Sequence, residues 1–75
     1  MERLPVQSSV LAAVAYDPIA RRFEAEFRSG EIYQYAGVPA ELYQRLLTAE
    51  SIGIFFNLNI RNHFPHTLVP RPRSV

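Results

Sequence analysis

Apolar and polar residues alternate most cleanly from Arg21 to Arg28, RRFEAEFR. Phe23, Ala25 and Phe27 fall on one side of an extended chain, and Arg22, Glu24, Glu26 and Arg28 on the other. Successive strand side chains point to opposite faces, so this pattern predicts an antiparallel sheet with one covered and one wet side. Ser8 to Asp17, SSVLAAVAYD, reads as a preceding strand with Val10, Val14 and Tyr16 on one face and Leu11 on the other. Its alanines also suit a helix, but Asp17-Pro18 starts a type I turn and favours a strand ending there. A third strand is expected over Glu31 to Val38.

The loop between the second and third strands decides which way Tyr33 and Tyr35 face. A two-residue Ser29-Gly30 loop requires positive φ at serine, which serine tolerates poorly, and it sets both tyrosines among Glu24 and Glu26. A three-residue loop, Arg28-Ser29-Gly30, puts glycine at the left-handed position of a bulged turn. That register pairs Phe27 with Glu31, Ala25 with Tyr33 and Phe23 with Tyr35, turning the tyrosines toward the phenylalanine face. The three-residue loop is the favoured reading.

After Gly37-Val38, Pro39 suits the first turn of a helix. Ala40 to Ala49 spaces Leu42, Tyr43, Leu46 and Leu47 for one helical face, with Glu41 and Arg45 four apart as a surface pair. Ser51 is a candidate N-cap for a second helix carrying Ile52, Phe55, Phe56 and Ile60 as its buried stripe. Gly53 costs such a helix about 1 kcal/mol against alanine, which implies close backbone packing or a loose first turn. Asn57, in apolar company, is read first as a clasp for loop backbone groups near Gly37 to Pro39, with contact to RNA or a partner as the alternative. The fold expected is α+β, a three-stranded antiparallel β-meander followed by two α-helices covering one face. It occupies residues 8–66, between a flexible lead-in at 1–7 and a proline- and arginine-containing tail at 67–75.

Seventy-five residues make one small domain, with little interior left for a deep substrate pocket. The absence of cysteine excludes disulfides and thiolate metal sites and suits the cytoplasm. No signal peptide is expected, and the longest apolar run, Val10 to Tyr16, is far short of the roughly 20 residues that span a bilayer. All eight basic residues are arginine. Residues 1–50 hold five arginines and all seven acids, whereas residues 51–75 hold three arginines, both histidines and no acid.

This asymmetry makes Arg61, His63, His66, Arg71 and Arg73 the candidates for contacting nucleic acid, since arginine pairs bidentately with phosphate. Tyr33 and Tyr35 carry two readings. They pack in the core under the helices, or they offer base-stacking platforms, each stacked base being worth about 1–3 kcal/mol. His63 and His66 are three apart, but Pro65 interrupts the helix that would converge them and no cysteine or acid completes a metal site. Ser8 and Ser9 lack any sign of the orienting group and oxyanion site that a nucleophile needs. No cofactor, metal or catalytic residue is expected.

The segments SSVLAAVAYDP, FRSGEIYQYAGVP and AESIGIFFNLNIRNHFP resemble, in order, the KTSC domain, over about residues 8–66. Tyr33-Gln34-Tyr35 matches the central YxY motif. Ser51, Gly53, Phe56, Asn57 and Ile60 match the serine-glycine-aromatic-asparagine segment. The family is named for the C-termini of some lysyl-tRNA synthetases and also occurs as small stand-alone bacterial proteins. Through the synthetase association the resemblance implies RNA binding, with tRNA as a candidate, and it supplies no catalytic residue. The expectation is an RNA-binding domain acting through its basic C-terminal region. The alternative is a protein-interaction module or homodimer acting through a sheet edge or the PRPR tail, as a monomer or weak dimer.

Overall fold

The structure, a computed structural model, describes residues 3–70. Seven elements follow in order: β1 (Leu4–Pro5), β2 (Leu11–Asp17), β3 (Arg22–Phe27), β4 (Ile32–Ala36), α1 (Ala40–Leu47), α2 (Ile52–Asn59) and β5 (His66–Leu68). The sheet has five antiparallel strands in the order β1-β2-β3-β4-β5, not the three expected. The central meander is as read from the alternation, and the two additional strands come from its flanks. Leu4 and Pro5 pair with Val14 and Ala13, while His66, Thr67 and Leu68 pair with Tyr35, Gln34 and Tyr33. Strands of two and three residues are too short to declare themselves by alternation.

The β3–β4 hairpin adopts the three-residue loop. The Phe27 amide donates to Glu31 O at 2.8 Å, and the Gly30 amide donates to Phe27 O at 2.9 Å. Gly30 takes φ +100°, a conformation glycine reaches without the Cβ clash that penalises other residues. Phe23 therefore opposes Tyr35, and Ala25 opposes Tyr33. At the other end of β3, Asp17 Oδ1 accepts from the amides of Ile19 and Ala20, closing the turn that Asp-Pro signalled.

One face assignment differs from the simple alternation. The β2–β3 register shifts between Leu11 and Ala13, so Leu11 opposes Phe27 while Val14 opposes Ala25. This bulge returns Leu11 to the face of Val14 and Tyr16, where it is fully buried. Ahead of it the chain turns, with Ser8 Oγ accepting from the amides of Val10 and Leu11.

Both helices cover the phenylalanine face. Tyr43 of α1 stacks on Tyr16 with ring centroids 4.9 Å apart and also meets Phe23. Phe56 of α2 is fully buried and meets the rings of Phe23, Phe27 and Tyr35. Ser51 caps α2 by accepting from the Ile54 amide at 3.2 Å. Gly53 lets α2 approach the turn before β2: a Cβ there would lie 3.0 Å from Ser8 Oγ and 3.4 Å from Val10 Cγ2. Arg45 places its guanidinium over the Phe55 ring at 5.7 Å, tying α1 to α2. The opposite face is only partly wet. Glu24 is buried there, accepting from Arg3 Nε at 2.6 Å and Gln34 Nε2 at 2.9 Å. Among the described residues no helix is long and apolar enough to cross a membrane.

Candidate nucleic-acid interface

The edge of the sheet beyond β4 collects residues from separate parts of the chain. Pairing of β5 with β4 sets His66 opposite Tyr35, flanked by an Ala36 amide donating to Pro65 O and a Val69 amide donating to Ile32 O. Residues directly opposite in an antiparallel pair share a face. The imidazole accordingly reaches both tyrosines, edge-on to Tyr33 at 5.6 Å and tilted toward Tyr35 at 5.7 Å.

A second arm arrives from the end of α2. The Ile60 and Arg61 amides both donate to Phe56 O, and Asn62 turns the chain at φ +67°, a left-handed conformation that asparagine tolerates better than most residues. Arg61 remains exposed and donates from Nη1 to Asn57 Oδ1 at 3.3 Å. Asn57 is therefore not the clasp expected from its apolar surroundings. It is exposed on α2 and partners Arg61, and the loop carbonyl of Val38 instead accepts from the Tyr16 hydroxyl at 2.6 Å.

Between these arms lies a cleft of about 280 Å³ walled by Tyr33, Tyr35, His66, Arg61 and Asn62. Val10 and Phe27 supply apolar surface, and Glu31 adds one carboxylate. Four residues singled out in the sequence thus meet here: the two tyrosines, Arg61 and His66. His63 sits exposed on the turn after α2 and does not line the cleft, and Arg71 and Arg73 lie outside the described residues. Among the described residues no three His, Cys, Asp or Glu side chains gather in a way that could hold a metal ion.

The two tyrosines are not equivalent. Tyr35 is 3% exposed and packs against Phe23 and Phe56, so its ring belongs to the core. Burial raises its phenol above the ordinary 10.0, the Arg61 guanidinium draws it partly back, and Tyr33 adds to the rise. Tyr33 is half-buried, resting edge-on against Phe27 with the rest of its ring at the cleft. Charge patterning pointed to Arg61 and His66 separately; what it missed was that strand pairing by His66–Leu68 carries the histidine to the tyrosines. Glu31 and Asn62 had no signal beyond proximity in the fold.

The arrangement offers one permanent cation, one imidazole, one carboxylate and partly exposed aromatic surface. It provides binding chemistry for a planar group with an attached anion. Comparison with known proteins is consistent across three routes. The KTSC domain family model matches residues 7–64. The crystal structure of a KTSC domain protein from Yersinia pestis superimposes with a TM-score of 0.90 at 38% identity, covering 92% of this chain and 97% of that one. An uncharacterised protein of Stutzerimonas stutzeri is 47% identical over 57 residues, spanning 76% of this chain and 80% of its own. A lysine–tRNA ligase of Nostoc is 33% identical over 63 residues, 84% of this chain and only 11% of the ligase. With its meander, its capped α2 and the Tyr33-Gln34-Tyr35 strand in place, the chain belongs to the KTSC domain family.

Proposed function

We propose that this chain is a small non-catalytic RNA-binding domain of the cytoplasm, engaging RNA through its basic C-terminal region. The observation that carries the reading is the meeting of Arg61 and His66 with a partly exposed tyrosine, Tyr33, in one cleft. Arginine and aromatic surface at one edge is the combination single-stranded nucleic acid recognises: phosphate to the cation, base to the ring. His63 sits on the adjoining turn, and the sequence from residue 51 onward, which includes Arg71 and Arg73, holds three arginines and no acid. A similar segment within a lysine–tRNA ligase supports the choice of RNA, with tRNA as the first to try.

The test is the salt dependence of RNA affinity. Replacing Arg61, Arg71 and Arg73 together by alanine is expected to weaken binding uniformly across sequences. It should also flatten the log affinity against log salt slope by about 2, at roughly 0.7 per single-strand phosphate contact. Unchanged affinity and slope in the triple variant remove these arginines from the mechanism.

A protein-interaction role through a sheet edge has less support. The two edge strands are two and three residues long, with Pro5 in one and Pro65 immediately before the other. Short, proline-marked edges are poor templates for adding a partner strand.

A further inference from the structure

We infer that the cleft between β4, β5 and the end of α2 holds one unpaired nucleotide, with guanine as the preferred base. The base would stack on one ring of the Tyr33–His66 pair and meet the other edge-on, with its phosphate on Arg61. The inference rests on the RNA-binding reading and specifies what the site takes.

Size sets the first limit. At about 280 Å³ the cleft is just under the roughly 300 Å³ at which ligand pockets begin, so it admits one base-sized group. Ring geometry sets the second. The His66 centroid lies 5.6 Å from Tyr33 and 5.7 Å from Tyr35. A base sandwiched between two rings needs about 7 Å, twice an ordinary contact of about 3.5 Å, so nothing intercalates between them. Tyr35 is buried and offers no face. The Tyr33 and His66 planes lie 72° apart, so the ligand stacks on the open side of one of these rings, one base deep.

Charge sets the third. Arg61 donates from Nη1 to Asn57 Oδ1 at 3.3 Å, which leaves the rest of its five donors for a phosphate. Glu31, on the same cleft, repels a second anion and accepts hydrogen bonds. Ser29 Oγ donates to its Oε1 at 3.3 Å, and the carboxylate's other oxygen remains for a ligand. Guanine presents two adjacent N–H donors on its Watson–Crick edge, the match for a carboxylate. Uracil presents one donor between two carbonyls, which a carboxylate repels.

The experiment is amide and aromatic-ring NMR of the full chain titrated with GMP, UMP, ribose 5-phosphate and inorganic phosphate. The expected result is GMP shifting the Tyr33 and His66 rings and the Arg61 amide, with UMP weaker and the two base-free phosphates leaving the rings unmoved. Arg61→Ala, at an exposed position that leaves the fold intact, should weaken GMP about fivefold, and Glu31→Gln should narrow the difference between GMP and UMP. Equal ring shifts from ribose 5-phosphate, or none from GMP, overturn the inference. RNA binding with a normal salt slope but no nucleotide shifts overturns the nucleotide site alone. GMP shifts without any RNA binding keep the site and make its source a free nucleotide, overturning the RNA reading instead.

Discussion

Glu24 and Glu26 both face the Arg3 guanidinium, yet alanine at the two positions should have very different consequences. Glu24 approaches Arg3 Nε at 2.6 Å, with side-chain exposures of 36% for the arginine and 6% for the glutamate. Its other oxygen accepts from Gln34 Nε2 at 2.9 Å, so both carboxylate oxygens are used. Glu26 lies 3.9 Å from Arg3 Nη1 and is 30% exposed. Hydrogen bonds to charged groups contribute about 1.5–3 kcal/mol when buried, and solvent at the partly exposed Arg3 screens this toward the low end. Glu24→Ala also strands the Gln34 amide. Together these put its cost at about 2 kcal/mol, against under about 0.5 kcal/mol for Glu26→Ala. For a domain of this size about 1 kcal/mol moves the melting temperature by roughly 4–8 °C, so the drops should be about 8–16 °C and under about 4 °C. Thermal melts followed by circular dichroism would resolve the difference. Equal losses in the two variants would refute the argument, because long-range charge and not buried geometry would then be holding β1 to the sheet.

Gly30→Ala forces a side chain onto φ +100° and should destabilise the domain by about 1–2 kcal/mol, read from urea unfolding midpoints. Phe56→Leu keeps an apolar group but loses the ring contacts with Phe23, Phe27 and Tyr35; a cost of about 1–3 kcal/mol and altered Tyr35 ring shifts are expected. Tyr35 and Tyr43 both have phenols raised by burial above 10.0. The folded state thus holds protons that the unfolded state releases, and stability is full below pH 10 and falls as pH rises through the raised values. Absorbance at 295 nm should show two tyrosines titrating late, and Tyr35→Phe should flatten the alkaline loss of stability.

The central hairpin was legible because one residue type settled it: only glycine sits comfortably at the third loop position, and that fixed the register and the direction of Tyr33 and Tyr35. The Ser51 cap and the Gly53 contact were legible for similar reasons, each being a residue with one strong local use. The edge strands were not. Leu4–Pro5 and His66–Leu68 are held by the register of their neighbours; the first fell within the expected lead-in, and Pro65 just before the second read as a break. Leu11 was misplaced because a bulge shifts the face without leaving a mark in the alternation. Asn57 was misread because α2 has little polar face to show its outside: Ile54 and Leu58 are 61% and 66% exposed. The cleft was visible as separate residues, and only tertiary pairing of β5 with β4 assembled it.

The most direct test of RNA binding is an amide NMR titration of the labelled chain with mixed tRNA at low and at moderate salt. Shifts concentrated at Tyr33 and from Arg61 through His66 into the following tail, shrinking as salt rises, are the predicted result. No shifts even at low salt would contradict it.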